Sequence, residues 1–283
     1  MDTDLLRAFV AVADTGGFSA AANLLNRTQS AVSLQVKRLE EQFDTKLFAR
    51  TSRSVTLTAG GRTMLPYARQ LLHLEEHAHA TLSQNRDKQS LRVGLTEEHA
   101  TAHLPQVLSK FAQVHPDVRL DISCEVSPVL VDRFLDGALD VVLAVRHRPT
   151  KTGRLIGVER LIWVGREGFE LPVGGPLPLA LNPEGCIFRD HALAAMGRVG
   201  RQWREPYLST SPTGVNVPVQ MGLAVTVKTP RSLPPGCLDI GEALALPELG
   251  MAEIEIHASP AQIGDAFELL VAEIERVAAH KHG

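Results

Sequence analysis

The chain has 283 residues, of which 44% are hydrophobic and 22% charged, and its formal net charge is −3. A chain of this length buries a sizeable core and suits more than one domain, its composition is that of an ordinary soluble globular protein, and no tandem repeat or low-complexity tract interrupts it. No apolar run spans a bilayer. The stretch 5–13 is broken by Arg7 and lacks a signal-peptide cleavage site, and three cysteines without a CxxC pair make no disulfide framework, so the protein is expected in the cytoplasm, off the membrane.

Charge is unevenly spread. Residues 1–70 carry nine Lys/Arg against six Asp/Glu, or +3, which leaves −6 for the remainder. A basic amino-terminal module on an acidic body points to a polyanionic partner for the first part alone. Leu5, Phe9, Val12 and Ala13 share one face of a predicted helix that Gly16 and Gly17 close. Ser19 is placed to cap a second helix containing Ala21, Ala22 and Leu25, and Asn26-Arg27-Thr28 forms a polar turn.

In the third segment Val32, Val36, Leu39 and Phe43 lie within roughly 60° of one another at about 100° per residue, which makes that face core. The opposite face gathers Ser30, Ser33, Leu34, Lys37 and Arg38, with Gln29 at its start. Short hydroxyls and amides beside long cations suit a helix in a DNA major groove, where Leu34 can touch a thymine methyl. Glu40 and Glu41 come where such a helix would leave the groove; the alternative is an amphipathic helix with a solvated face. A polar turn at 51–54 and an alternating strand at Val55 and Leu57 follow, giving a wing whose Arg50 and Arg53 can reach phosphates or a narrow minor groove.

From Leu5 to Gly61, and most clearly in GGFSAAANLLNRTQSAVSLQVKRLEEQFDTKLFARTSRSVTLTAGG, the residues resemble the winged helix-turn-helix of LysR-type transcriptional regulators. Asp44 stands where that family usually has Gly, and Asp tolerates the left-handed conformation such a turn needs. The next segment reads as one helix from Thr58 to about Gln84. Its stripe of Met64, Ala68, Leu71, Ala78 and Leu82 is interrupted by Glu75, and Pro66 marks a kink or an early turn. The resemblance implies a dimerising linker here that sets two reading heads about 34 Å apart; otherwise the helix packs on its own domain. His73 and His77 lack the further ligands a metal site needs, so no metal is expected.

From Ser90 strands alternate with helices, the pattern of an α/β fold. LRVGL, VRLDISC and DVVLAV read as strands, and Leu104, Val107, Leu108 and Phe111 stripe the first helix. The segment GLTEEHATAHLPQVLSKFAQVHPDVRLDI resembles the start of the family's effector domain, a two-lobed clamp related to type 2 periplasmic binding proteins. RLIWVG, PLPLAL, LAVTV and AEIEIHA read as strands of a second lobe, and Gln262–Ala279 as a terminal helix; the resemblance implies that this helix returns to the first lobe, with crossovers near 146–160 and 258–265. The expected division is a reading head at 1–58, a linker at 59–89 and an effector domain at 90–283, with lobe I at 90–160 and 261–283 and lobe II at 161–260.

Candidate effector contacts are Thr96, His99 and Thr101 at one helix start, Ser211 and Thr213 at a matching start in the second lobe, and Ser127 and Arg146 at strand ends. Glu97 and Glu98 count against a simple anion pocket. The resemblance implies double-stranded operator DNA with an interrupted inverted repeat, a small-molecule effector, self-association into a dimer and a dimer of dimers, and contact with RNA polymerase. It implies no cofactor and no catalytic residue. Two rival functions are a redox-sensing regulator working through Cys186 and Cys237, and an enzyme or solute-binding protein built on the clamp. The latter leaves residues 1–60 unexplained, and no GxSxG, HExxH, P-loop or dinucleotide fingerprint supports catalysis.

Overall fold

The computed structural model describes residues 2–50, 54–82, 90–171, 175–260 and 262–279, with the backbone alone described at 73, 76, 77 and 79–82. Helix α1, Thr3–Thr15, begins where the Asp2 carboxylate accepts from the Asp4 amide, and it ends at Gly16, whose φ of 69° lets its N–H reach Val12 O. Gly17 is extended and caps α2, Phe18–Leu24. Ser19 therefore lies inside that helix rather than at its cap, because the turn uses one glycine to stop and the other to restart.

Asn26 takes a left-handed φ of 52°, and the Thr28 hydroxyl accepts from the Ala31 amide to start α3, Gln29–Gln42. Val32, Val36 and Leu39 are fully buried against Phe9, Val12, Phe18 and Ala21. Phe43, expected with them, caps the helix and is 44% exposed. Asp44 holds the expected left-handed turn at φ 46°. The wing is an antiparallel hairpin of β1, Phe48–Arg50, and β2, Val55–Leu57.

Helix α4 runs Ala59–Leu82 with Pro66 inside it. Its first half packs on the reading head through Leu65 and Ala68, with Met64 and Leu72 beside them. The expected seam is thus partly consumed by the helix's own domain. Tyr67, Leu71, Leu74 and Ala78 stay exposed. Glu75 accepts from Thr3 and Arg7 at 2.7 Å each and fastens the helix to α1.

The effector domain opens with β3 (Ser90–Leu95), α5 (Glu97–Val114), β4 (Arg119–Cys124), α6 (Ser127–Leu135), β5 (Val141–Val145) and β6 (Arg154–Arg160). Then come β7 (Ile162–Arg166), β8 (Leu177–Leu181), α7 (Ile187–Arg198), β9 (Trp203–Leu208), α8 (Pro212–Gln220), β10 (Thr226–Lys228), β11 (Cys237–Asp239), β12 (Met251–Ala258) and α9 (Asp265–Ala278). Lobe I is a five-stranded sheet ordered β4-β3-β5-β12-β6, parallel from β4 to β5 and antiparallel at β12. Helix α6 covers one face through Leu130, Val131 and Phe134, and α5 and α9 cover the other through Phe111, Phe267, Leu270 and Ile274. Lobe II joins β8-β9 to β10-β7-β11 through a parallel bridge between Leu179 and Val225.

The sequence reading put AEIEIHA in lobe II, and the register puts it in lobe I, pairing Ile254 with Val145 and Ala258 with Val141. An alternating strand declares its two faces but not which sheet it joins. The crossovers accordingly sit at 160–162 and 249–251, where the Leu161 amide donates to Gly250 O at 3.0 Å. The strands β6, β9 and β11 went unread.

Gly61 has no room for a side chain: a Cβ would lie 2.1 Å from Leu47 O and 2.9 Å from the Leu57 side chain. Gly61→Ala must push helix α4 off the wing and should destabilise the reading head by about 1–3 kcal/mol. Hydrogen exchange resolved by domain should show the loss in residues 2–50 and not in lobe II.

Candidate DNA interface and effector cleft

Helix α3 presents Gln29, Ser30, Leu34, Lys37 and Arg38 to solvent with Ser33 half-buried among them, while its opposite face fills the core. From the wing, the Arg50 guanidinium lies 4.2 Å over the Phe18 ring and donates to Ser33 Oγ at 3.3 Å. Helix and wing thus form one surface, notched between Ser33, Lys37, Lys46 and Arg50. Lys37 faces Glu41 at 3.5 Å as an exposed pair worth little. Arg53 lies outside the described residues.

Glu40, near the end of α3, turns inward. It is 4% exposed, and its carboxylate accepts from the Leu47 and Phe48 amides and from Lys46 Nζ. Burial would raise its pKa, but these three donors outweigh it and hold the carboxyl below the usual range. The spacing Val32, Val36, Glu40 already put it on the inner face.

In the effector domain a cavity of about 190 Å³ lies between the lobes, where the starts of α5, α6, α7 and α8 converge. Thr96 lines it as the cap of α5, its hydroxyl accepting from the His99 amide. Ser127 lines it too, with Oγ accepting from the Val145 amide at 3.0 Å. The other five candidates do not line it. Helix α5 begins at Glu97 with Thr96 as its cap, and within its first turns His99 points into the core beside His103 and the Thr101 hydroxyl is spent on Glu97 O. Arg146 is taken by Glu253 and by the fully buried Glu255. Ser211 caps α8 between two lining residues, Thr210 and Pro212, and Thr213 is exposed outside.

Sequence reasoning missed the turn Asn182–Gly185 and the helix start it feeds, Cys186 to Phe188, which form the lobe II wall. The Asn-Pro-Glu-Gly run between a strand and a helix was the available signal. Asn182 ties the wall together by donating to Ser209 O.

Glu98, at the cavity's edge in lobe I, accepts from Lys228 of lobe II at 2.9 Å. Burial raises this carboxyl, yet the Lys228 ammonium prevails and holds it below the usual range. Glu97, Glu125 and Glu184 also line the cavity and make no ion pair among the described residues; no Lys, Arg or His lines it. Burial pushes the thiols of Cys124, Cys186 and Cys237 up, so all three stay protonated near neutrality, a poor state for redox chemistry.

A basic winged helix joined by a long helix to a two-lobed clamp defines a ligand-responsive DNA-binding protein. Comparison with known proteins agrees: the bacterial regulatory helix-turn-helix protein, lysR family, matches residues 3–62, and the LysR substrate binding domain matches residues 84–239. The HTH-type transcriptional regulator DgdR of Burkholderia cepacia is 34% identical over 270 residues, covering 94% of this chain and 92% of DgdR. PecT of Dickeya dadantii (strain 3937), also an HTH-type transcriptional regulator, is 30% identical over 275 residues, covering 97% and 87%. The fold matches full-length LysG from Corynebacterium glutamicum with bound effector Arg at a TM-score of 0.70, 18% identity and 98% of each chain. The chain belongs to the LysR family of transcriptional regulators. It is a DNA-binding regulator with an effector-binding domain, not an enzyme.

Burial lowers the pKa of His103 from 6.5 to about 4, with His99 and Arg231 adding to the effect. Between these values the unfolded chain binds a proton that the folded one does not, so stability is full above pH 6.5 and falls as pH drops toward 4. His103→Gln should flatten the dependence of Tm on pH between 7 and 5; an unchanged slope would show that His103 contributes nothing to it.

Proposed function

We propose that this regulator reads its operator with Gln29, Ser30, Ser33, Leu34, Lys37 and Arg38 of α3 and grips flanking phosphate with Arg50, helped by Arg53. The observation that carries this is the continuous polar face on which Arg50 touches Ser33. The division into reading head (1–58), linker (59–89) and effector domain (90–283) belongs to the same reading, as do a cytoplasmic location, an operator with an interrupted inverted repeat and contact with RNA polymerase. Ser33→Glu sets a charge against the phosphates and should abolish binding to a duplex selected from random DNA by the purified protein, with the fold intact by circular dichroism. Retained affinity would move the reading surface elsewhere.

The exposed row Tyr67, Leu71, Leu74 and Ala78 on α4 repeats at helical spacing and supports a dimer seam, from which a dimer of dimers can be built. Leu71→Asp should release monomers in analytical ultracentrifugation; a dimer with unaltered dissociation places the seam elsewhere.

The effector sits between the lobes and carries an ammonium or guanidinium on an apolar body. Four carboxylates line the cavity and Lys228 offsets one. Even if each of the four helix starts contributes roughly half a positive charge, about one net negative charge remains. Val126, Val145, Ile187 and Phe188 supply the apolar wall. Phenethylamine or cadaverine should raise Tm, 3-phenylpropionate should not, and Glu97→Gln/Glu125→Gln/Glu184→Gln should cancel the effect. A carboxylate that stabilises better than its amine counterpart would reverse this assignment.

A further inference from the structure

We infer that Glu40 is a positioning residue for operator binding, acting through the wing rather than touching DNA. The notch between α3 and the wing is otherwise cationic, with Lys37, Lys46 and Arg50 on its walls. A carboxylate there works against a polyanion unless it is neutralised and has another task. Glu40 has both. Its Oε2 accepts from Lys46 Nζ at 2.9 Å, and its Oε1 accepts from the amides of Leu47 at 3.0 Å and Phe48 at 3.3 Å. Its own carbonyl accepts from the Thr45 amide at 3.0 Å, just beyond the left-handed turn at Asp44.

One residue near the end of the recognition helix therefore fixes the backbone of three residues leading into β1. Leu47 in turn accepts from the amide of Thr58, which faces it at the open end of the hairpin. Phe48 sets its ring 5.4 Å from Phe9 and 5.8 Å from Phe18. Two residues on, Arg50 lies over that same Phe18 ring and touches Ser33. The angle of the wing to α3, and with it the place of the Arg50 guanidinium, depends on the Glu40 carboxylate. Loss of the carboxylate leaves two buried amides without their acceptor, and the strand has to turn them toward water, which swings Arg50 away.

This inference rests on Arg50 as a phosphate contact, and the two can be tested apart. The full-length protein is titrated against the selected duplex over a range of salt concentrations. Arg50→Ala should lower the slope of log affinity against log salt by about one; an unchanged slope sinks the wing reading itself.

Glu40→Ala should lower the slope by the same amount and weaken binding roughly tenfold. In an Arg50→Ala background it should add almost nothing. Glu40→Gln, which still accepts from both amides, should restore the slope. Glu40→Asp keeps the charge but is one methylene too short, and it should lose the slope as Glu40→Ala does, which keeps the test open if the alanine variant does not fold. A purely structural Glu40 would reduce the active fraction at every salt concentration without changing the slope. That result, or losses from Glu40→Ala and Arg50→Ala that simply add, overturns the inference.

Discussion

The arrangement of the molecule turns on the guanidinium of Arg69. From the middle of α4 it pairs with Asp14 at the end of α1 and donates to Asp136 O at the end of α6 at 3.0 Å. A planar fork with five fixed donors can serve two directions at once, which a lysine ammonium on a flexible stem does less well. Beside it Gly137, at φ 72°, lets lobe I approach the linker so closely that a Cβ would lie 3.2 Å from Pro66 O. Reading head, linker and effector domain meet at this junction. The opposite end of α6 is Ser127, in the wall of the cavity between the lobes, so a single nine-residue helix runs from that cavity to the contact with the DNA-binding half.

The lobes are held by a second set of charges. Lys228, 2% exposed, reaches from β10 to Glu98 on α5, and Arg231 faces Glu159 at 3.5 Å beside the crossover strands. Burying such pairs costs desolvation that offsets much of their attraction, so they are weak evidence of added stability even though both bridge the lobes. Arg146, Glu255 and His257 form a comparable network inside lobe I, where Glu255 bridges Arg146 Nε at 2.9 Å and His257 Nε2 at 3.1 Å. Arg146, directly after β5, is tied to Glu253 and Glu255 of β12 and so is not free to meet a ligand.

Local rules made the reading head legible from sequence. The inner face of α3 follows from the spacing of Val32, Val36 and Leu39, its outer face from hydroxyls and cations, and the left-handed turn from Asp44. A helix declares its faces by period alone, and a family motif of this length adds the rest. What the sequence could not decide was where polar side chains find partners. Glu40, His99, Thr101 and Arg146 carry the same chemistry whether they face solvent, a ligand or a buried amide. Only tertiary packing assigns them, because their partners lie on segments that folding brings together: Leu47 and Phe48 for Glu40, and Glu255, more than a hundred residues away, for Arg146. The same holds for β12, whose alternation fits either lobe until pairing with Val141–Val145 places it in the first.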